Sequence, residues 1–187
     1  MDPTRMLEAD HRAAMDLIDR IKQEDGTARV ALVRELATGL QAHMALEENV
    51  IYPAMAEVIG AAVVDGSSAE HESARRALID ALDHLDDRAG FSVALESLEA
   101  GVAHHIAEEE RDLFPRLRRE GKDVLTDAAT EFMKTRAELD MPMPAPALAA
   151  AFTREELRAE AQNAGISRAA SRTKGELAAA LAARMTR

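Results

Sequence analysis

The segment HMALEENVIYP at residues 43–53 returns 62 residues later as HIAEEERDLFP at 105–115, and no other feature of the chain constrains its fold as tightly. Five of the eleven positions are identical, among them a His, the Glu four residues on, the next Glu, and a Pro ten residues after the His. Four residues turn a helix by about 400°, so His43 and Glu47 share one helix face, and His105 and Glu109 share another. Each of these helices presents a paired nitrogen and carboxylate. A shorter echo, ADH at 9–11 and AEH at 69–71, puts His11 and His71 on the helices that precede each repeat. An up-down bundle with short loops sets all four helices around one axis, where four His and two Glu can converge.

The rest of the sequence agrees with an all-α fold. Apolar positions recur at helical spacing, and no segment alternates with the period of two that a strand requires. The first helix is expected from Pro3, capped by Asp2, to about Glu24, and the second from about Ala28 to Ile59. A loop at Asp65-Gly66, with Ser67 and Ser68 as caps, opens a third helix ending near Asp87, and a fourth runs from about Phe91 to Arg119. A further helix covers about Asp123 to Glu138. Residues 1–140 thus read as the bundle and the Pro/Ala-rich stretch 141–152 as a linker. Residues 153–187 form a small helical hairpin, with helices at about Arg154 to Asn163 and Lys174 to Arg184.

Composition narrows the chemistry. Cysteine is absent, so any metal must be held by His, Asp or Glu. No apolar run is long enough to span a bilayer and no secretory signal is legible, so a cytoplasmic protein with no membrane contact is expected. Six ligands of mixed nitrogen and carboxylate character suit two first-row metals with bridging glutamates. Imidazole alone would also accept Zn or Cu, but duplicated His plus carboxylate without thiolate favours iron. The Glu-x-x-His spacing of ferritin-like proteins is missing, and the spacing here is His-x-x-x-Glu, which disfavours iron storage.

At these residues the chain resembles the hemerythrin-like, or HHE, cation-binding family, whose motif runs His, His-x-x-x-Glu, His, His-x-x-x-Glu, from Asp10-His11 through Phe114-Pro115. The resemblance implies a four-helix bundle with an oxo- or hydroxo-bridged pair of iron ions on His11, His43, Glu47, His71, His105 and Glu109. Four histidines in register instead of the five of marine-worm hemerythrins leave an open position, which favours turnover over oxygen carriage. The implied ligand is a small oxidant: hydrogen peroxide, decomposed as by a catalase, or dioxygen or nitric oxide. Sensing or storage without turnover is the alternative, as is a redox module associated with nucleic acid.

The remaining polar candidates are weaker. His104 adjoins His105 but lies about 100° around the helix, so it reads as a supporting or surface residue. His84 reads as solvated. Glu48 and Glu110, beside the proposed ligands, read equally as groups that orient others and as surface charges. Tyr52, the only phenol, is nine residues from His43 and on the opposite side of a straight helix, so core packing is favoured over ligation.

Charge divides the chain. Residues 153–187 carry seven basic and four acidic groups, a net of +3, whereas residues 1–152 carry 16 basic and 30 acidic, a net of −14. The tail resembles the helix-extended-helix domain at the amino terminus of transcription termination factor Rho and, more distantly, the SAP domain. The matching residues are Glu156-Leu157, Ala161, Gly165-Ile166 and Thr173-Lys174 ahead of Glu176-Leu177. The resemblance implies weak, non-specific contact of Arg168, Arg172 and Lys174 with nucleic-acid phosphates. The competing reading is an alanine-rich hairpin whose cations are solvated or that docks on the acidic bundle.

Overall fold

In a computed structural model, residues 1–185 are described, and all of their regular structure is helical. Helix α1 spans Pro3–Gln23, and α2 spans Gly26–Leu46 and passes through a π turn at Glu47–Ile51 into α3, Tyr52–Ile59. Helix α4 covers Ala61–Asp83, and α5 covers Arg88–Glu108, continuing through a second π turn at Glu109–Leu113 into α6, Phe114–Glu120. Then follow α7, Lys122–Glu138; α8, Ala145–Ala151; α9, Arg154–Asn163; a 3-10 turn at Ala169–Ser171; and α10, Lys174–Met185. Asp2 opens α1 as expected, its carboxylate accepting from the Thr4 backbone N–H with Pro3 in the first turn.

Two expected boundaries move. The chain reverses at Gly60, whose φ of +101° only glycine adopts without strain, and not at Asp65-Gly66, which lies inside α4. Ser67 is therefore buried within that helix and caps nothing. The stretch 141–152 is also not all linker, because Pro146 falls in the first turn of α8, where a missing N–H leaves no bond unmade.

The core has two parts. One gathers Ile18, Ile21, Leu36, Leu40, Leu78, Phe91 and Leu95 at the end of the bundle where α1 turns into α2 and α4 into α5. The other gathers Met6, Leu7, Leu46, Ile51, Met55, Phe114 and Phe132. Along α1, His11 falls between Leu7 and Ile18, and along α2 His43 follows Leu40 and precedes Leu46, so the histidine layer lies between two greasy layers. Gly121 permits the tight approach of α6 and α7 to α3, since a Cβ there would stand 2.6 Å from Val58.

Leu148, Phe152, Leu157, Leu177 and Leu181 continue the second core into the carboxyl-terminal helices. Arg5 of α1 stands over the Phe152 ring at 4.7 Å and hydrogen-bonds to Glu156 and the Ala151 carbonyl. The amino-terminal ammonium pairs with Glu160 at 2.9 Å. Because Phe152 is only 2% exposed at this junction, Phe152→Ala should cost about 3–5 kcal/mol. Urea unfolding of the full chain should show it as a lower midpoint with an unchanged slope if bundle and tail melt together, and as two transitions if they do not.

Candidate metal centre

Two sequence-encoded proline kinks build the centre. The ring of a helical proline clashes with the carbonyl four residues back and offers that carbonyl no N–H. Pro53 and Pro115 each follow a π turn, in which the N–H of Tyr52 reaches back to Glu47 and that of Phe114 to Glu109, five residues away. The wider turn relieves the clash and changes the face on which the following aromatic falls, and the Tyr52 and Phe114 rings stack on His71 and His11.

Six expected ligands converge. His11 Nε2 lies 3.1 Å from His43 Nε2, and His71 Nε2 lies 3.2 Å from His105 Nε2. Glu47 Oε2 is 3.2 Å from both His43 and His71, and Glu109 Oε2 is 3.4 Å from His11 and 3.5 Å from His105. His11, His43, Glu47 and His105 offer donor atoms all within 4.8 Å of one another. Both glutamates are fully buried.

A second layer of carboxylates holds the outward nitrogens. Glu110 contacts His11 Nδ1 at 2.9 Å, Glu48 contacts His71 Nδ1 at 2.9 Å, and Glu70 contacts His105 Nδ1 at 3.0 Å. Asp10 faces His43 Nδ1 at 3.9 Å, an ion-pair distance beyond hydrogen-bond reach. The three hydrogen bonds orient their rings, and with a metal bound they would keep the proton on Nδ1 and leave Nε2 free to ligate. Asp10 is in turn gripped by Arg136 of α7 through two bonds of 2.5 and 2.7 Å. Arg75 donates to Glu48 at 2.7 Å.

The charges show what the cage lacks. Burial works against a proton on His43, yet Glu47 and Asp10 raise its pKa to about 10, and Glu47 and Glu109 raise that of His105 to about 9 against the same burial. His11 is raised too, with Glu109 and Glu110 outweighing burial. Glu47 is held well below the carboxylate range despite burial by His43, His105 and His71, whereas burial and the charge of Glu47 push Glu109 up. Asp10 is lowered, its burial overcome by Arg136 and His43. Both carboxylate oxygens of Glu47 and one of Glu109 are buried without a hydrogen-bond partner. Orphan carboxylate oxygens buried among imidazoles, three of which are raised in pKa, are what a cation would satisfy as it displaces those protons, so this donor set fits a metal.

A model of the hemerythrin HHE cation binding domain matches residues 2–117. The chain belongs to that family. Neither a curated protein nor a solved structure matches it. The domain is a metal-binding one, and its buried His/Glu cluster is where a metal can sit. Residues 153–187 lie beyond the matched span.

Several residues were not legible beforehand. Tyr52 is buried in the core as expected, but its hydroxyl faces the centre, 3.0 Å from His71 Nε2 and donating to Glu109 Oε1 at 3.4 Å. The straight-helix estimate fails because the π turn brings Tyr52 onto the face of Glu47. Burial, then Glu47 and Glu109, push the phenol well up, so it keeps its proton in the metal-free chain. Glu48 and Glu110 orient histidines, which decides the even reading for them. His104 is exposed, 3.1 Å from Glu70, and His84 is exposed with its ring nitrogen on the Asp80 carbonyl. Asp10 and Glu70 carried a signal, since each precedes a histidine of the shorter echo, but Arg136 had none.

Arg136 is buried and its removal leaves the Asp10 carboxylate unpaired. Arg136→Met is therefore expected to lose about 3 kcal/mol in urea unfolding and to hold metal at least tenfold more weakly in a chelator competition. Arg136→Lys should recover part of both.

Proposed function

We propose that the chain holds a pair of iron ions between His11, His43, Glu47, His71, His105 and Glu109 and uses them to bind or reduce a small oxidant, with hydrogen peroxide decomposition as the activity. The observation that carries this reading is the pairing of four inward Nε2 atoms with unpartnered buried oxygens of two glutamates. Bound there, an iron pair would supply two-electron redox chemistry, in which one peroxide is reduced to water and a second is oxidised to dioxygen without radical release. The residues around them supply the rest. Three outer carboxylates hydrogen-bond the outward nitrogens of His11, His71 and His105 and orient those rings, Tyr52 brings a hydroxyl to one side, and apolar layers pack above and below.

Protein from iron-supplemented growth should hold about two irons per chain, and its oxidised form should absorb in the near ultraviolet through an oxo bridge. His105→Ala should lose most of the iron and at least tenfold of the oxygen released from peroxide per chain. A wild-type stoichiometry near zero removes the iron reading. Equal rates per bound iron in the two proteins remove a site-specific activity, and reversible oxygen or nitric oxide binding without peroxide turnover assigns the centre to sensing or storage.

A second reading gives residues 153–187 a nucleic-acid contact. It is supported by Arg168, exposed in a left-handed turn at φ +56°, and Lys174 in the first turn of α10, neither with an ion-pair partner among the described residues. Arg172 contributes less, because its Nε donates to the Ser167 carbonyl while Arg154 caps the carbonyls of Ala170 and Arg172. With so few cations the affinity is weak and steeply salt-dependent. Polarisation titration of labelled DNA at low salt should show binding by the full chain that falls at least threefold in an Arg168→Ala, Lys174→Ala double variant. Equal binding by both, or by neither, refutes the contact.

A further inference from the structure

A cavity of about 440 Å³ opens beside the four imidazoles, and its size does not match a diatomic molecule or peroxide. A molecule of that kind fills about the space of one or two waters, roughly 30–60 Å³, whereas an apolar hole of about 150 Å³ already takes up one benzene. Leu17, Leu36, Met44, Val102, Ile106 and Met143 make most of the wall apolar. Folded chains rarely keep an apolar void larger than a water, because its lining forfeits contacts.

Of the five Asp, Glu and Arg side chains lining the cavity, three are paired within the fold. Asp10 and Arg136 bond to each other, and Glu70 is shared between His104 and His105. Glu35 at the rim is exposed and has no ion-pair partner among the described residues, so the entrance repels anions. One wall is supplied by Leu139 to Pro144, between α7 and α8, and by Ala147 of α8, beyond the span that matches the HHE domain. The chain thus adds its own segment to enclose an apolar space against the candidate metal centre. Thr38 and Gly39 of α2 stand at the rim, and a Cβ on Gly39 would meet nothing within 4 Å.

We infer that this cavity is a binding pocket for a neutral, apolar organic molecule with the bulk of about two to three benzene rings. The pocket brings such a molecule against His11, His43, His71 and His105. The inference stands on the cavity and its lining and does not require that the metal be iron.

The probe is N-phenyl-1-naphthylamine, a neutral fluorophore that brightens in apolar surroundings, titrated into the full chain with and without metal, with metal content measured on the same samples. Saturable one-to-one binding that indole displaces is the expected result. Gly39→Leu, which replaces a mid-helix glycine with a better helix former, should keep helicity and metal content while weakening the probe at least tenfold. Absence of saturable binding to the wild type overturns the pocket, as does equal affinity in a folded Gly39→Leu chain. Because metal is assayed separately, loss of the iron reading and loss of the pocket are distinguishable results.

Discussion

Two carboxylates buried on the axis of a helix bundle are the constraint on which the rest of the structure depends. Glu47 and Glu109 are fully buried, and the charge of the first already pushes the pKa of the second upward. Two like charges in such a place are tolerated only with compensating groups at hand. Here the compensation is a ring of four imidazoles, each with a carboxylate at or near its outer nitrogen, so that positive and negative groups alternate outward from the axis. A bundle of apolar layers alone would need none of this. The polar layer is placed between two such layers, which hold its geometry, and its net demand is for a cation.

The duplication in sequence becomes cross-bracing in space. Asp10 faces His43 and Glu70 contacts His105, each within its own half. Glu48 of the first half, by contrast, contacts His71 of the second, and Glu110 of the second contacts His11 of the first. Neither half completes its own histidine set. Arg136 extends the brace to a fifth helix through Asp10, tying the position of α7 to the orientation of His43. The segment after α7 then walls the cavity beside the centre, so packing of the chain's later portion and access to the centre are one structural problem.

What could be read from the sequence was what repeats or has a fixed period. The helices and the six converging residues follow from the spacing of His43, Glu47, His105 and Glu109 and the echo at His11 and His71. The Gly60 reversal was missed because a glycine's positive φ leaves no trace in hydrophobic period, while Asp65-Gly66 looks like a turn yet is tolerated in an exposed part of a helix. Tyr52 was misplaced for a related reason: angle counting assumes 100° per residue, and the π turn before Pro53 breaks that assumption. The proline was visible, but its effect on the preceding turn had to be seen in the backbone. Arg136 was not legible at all, since a salt bridge to Asp10 across 126 residues has no local signature.

The two halves differ where they come closest to the centre. In each, the residue five after the glutamate bonds back to its carbonyl across the π turn, but the first half has Tyr52 and the second Phe114. Phe114 lies nearly parallel to the His11 ring, with centroids 6.0 Å apart, and contributes only apolar surface. Tyr52 stacks on His71 with centroids 5.2 Å apart and carries its hydroxyl in toward Glu109. The backbone is therefore closely two-fold while the chemistry is not. One flank of the cage has an oxygen that can donate or accept, and the other has none. This difference makes the His71 side of the cage the more polar.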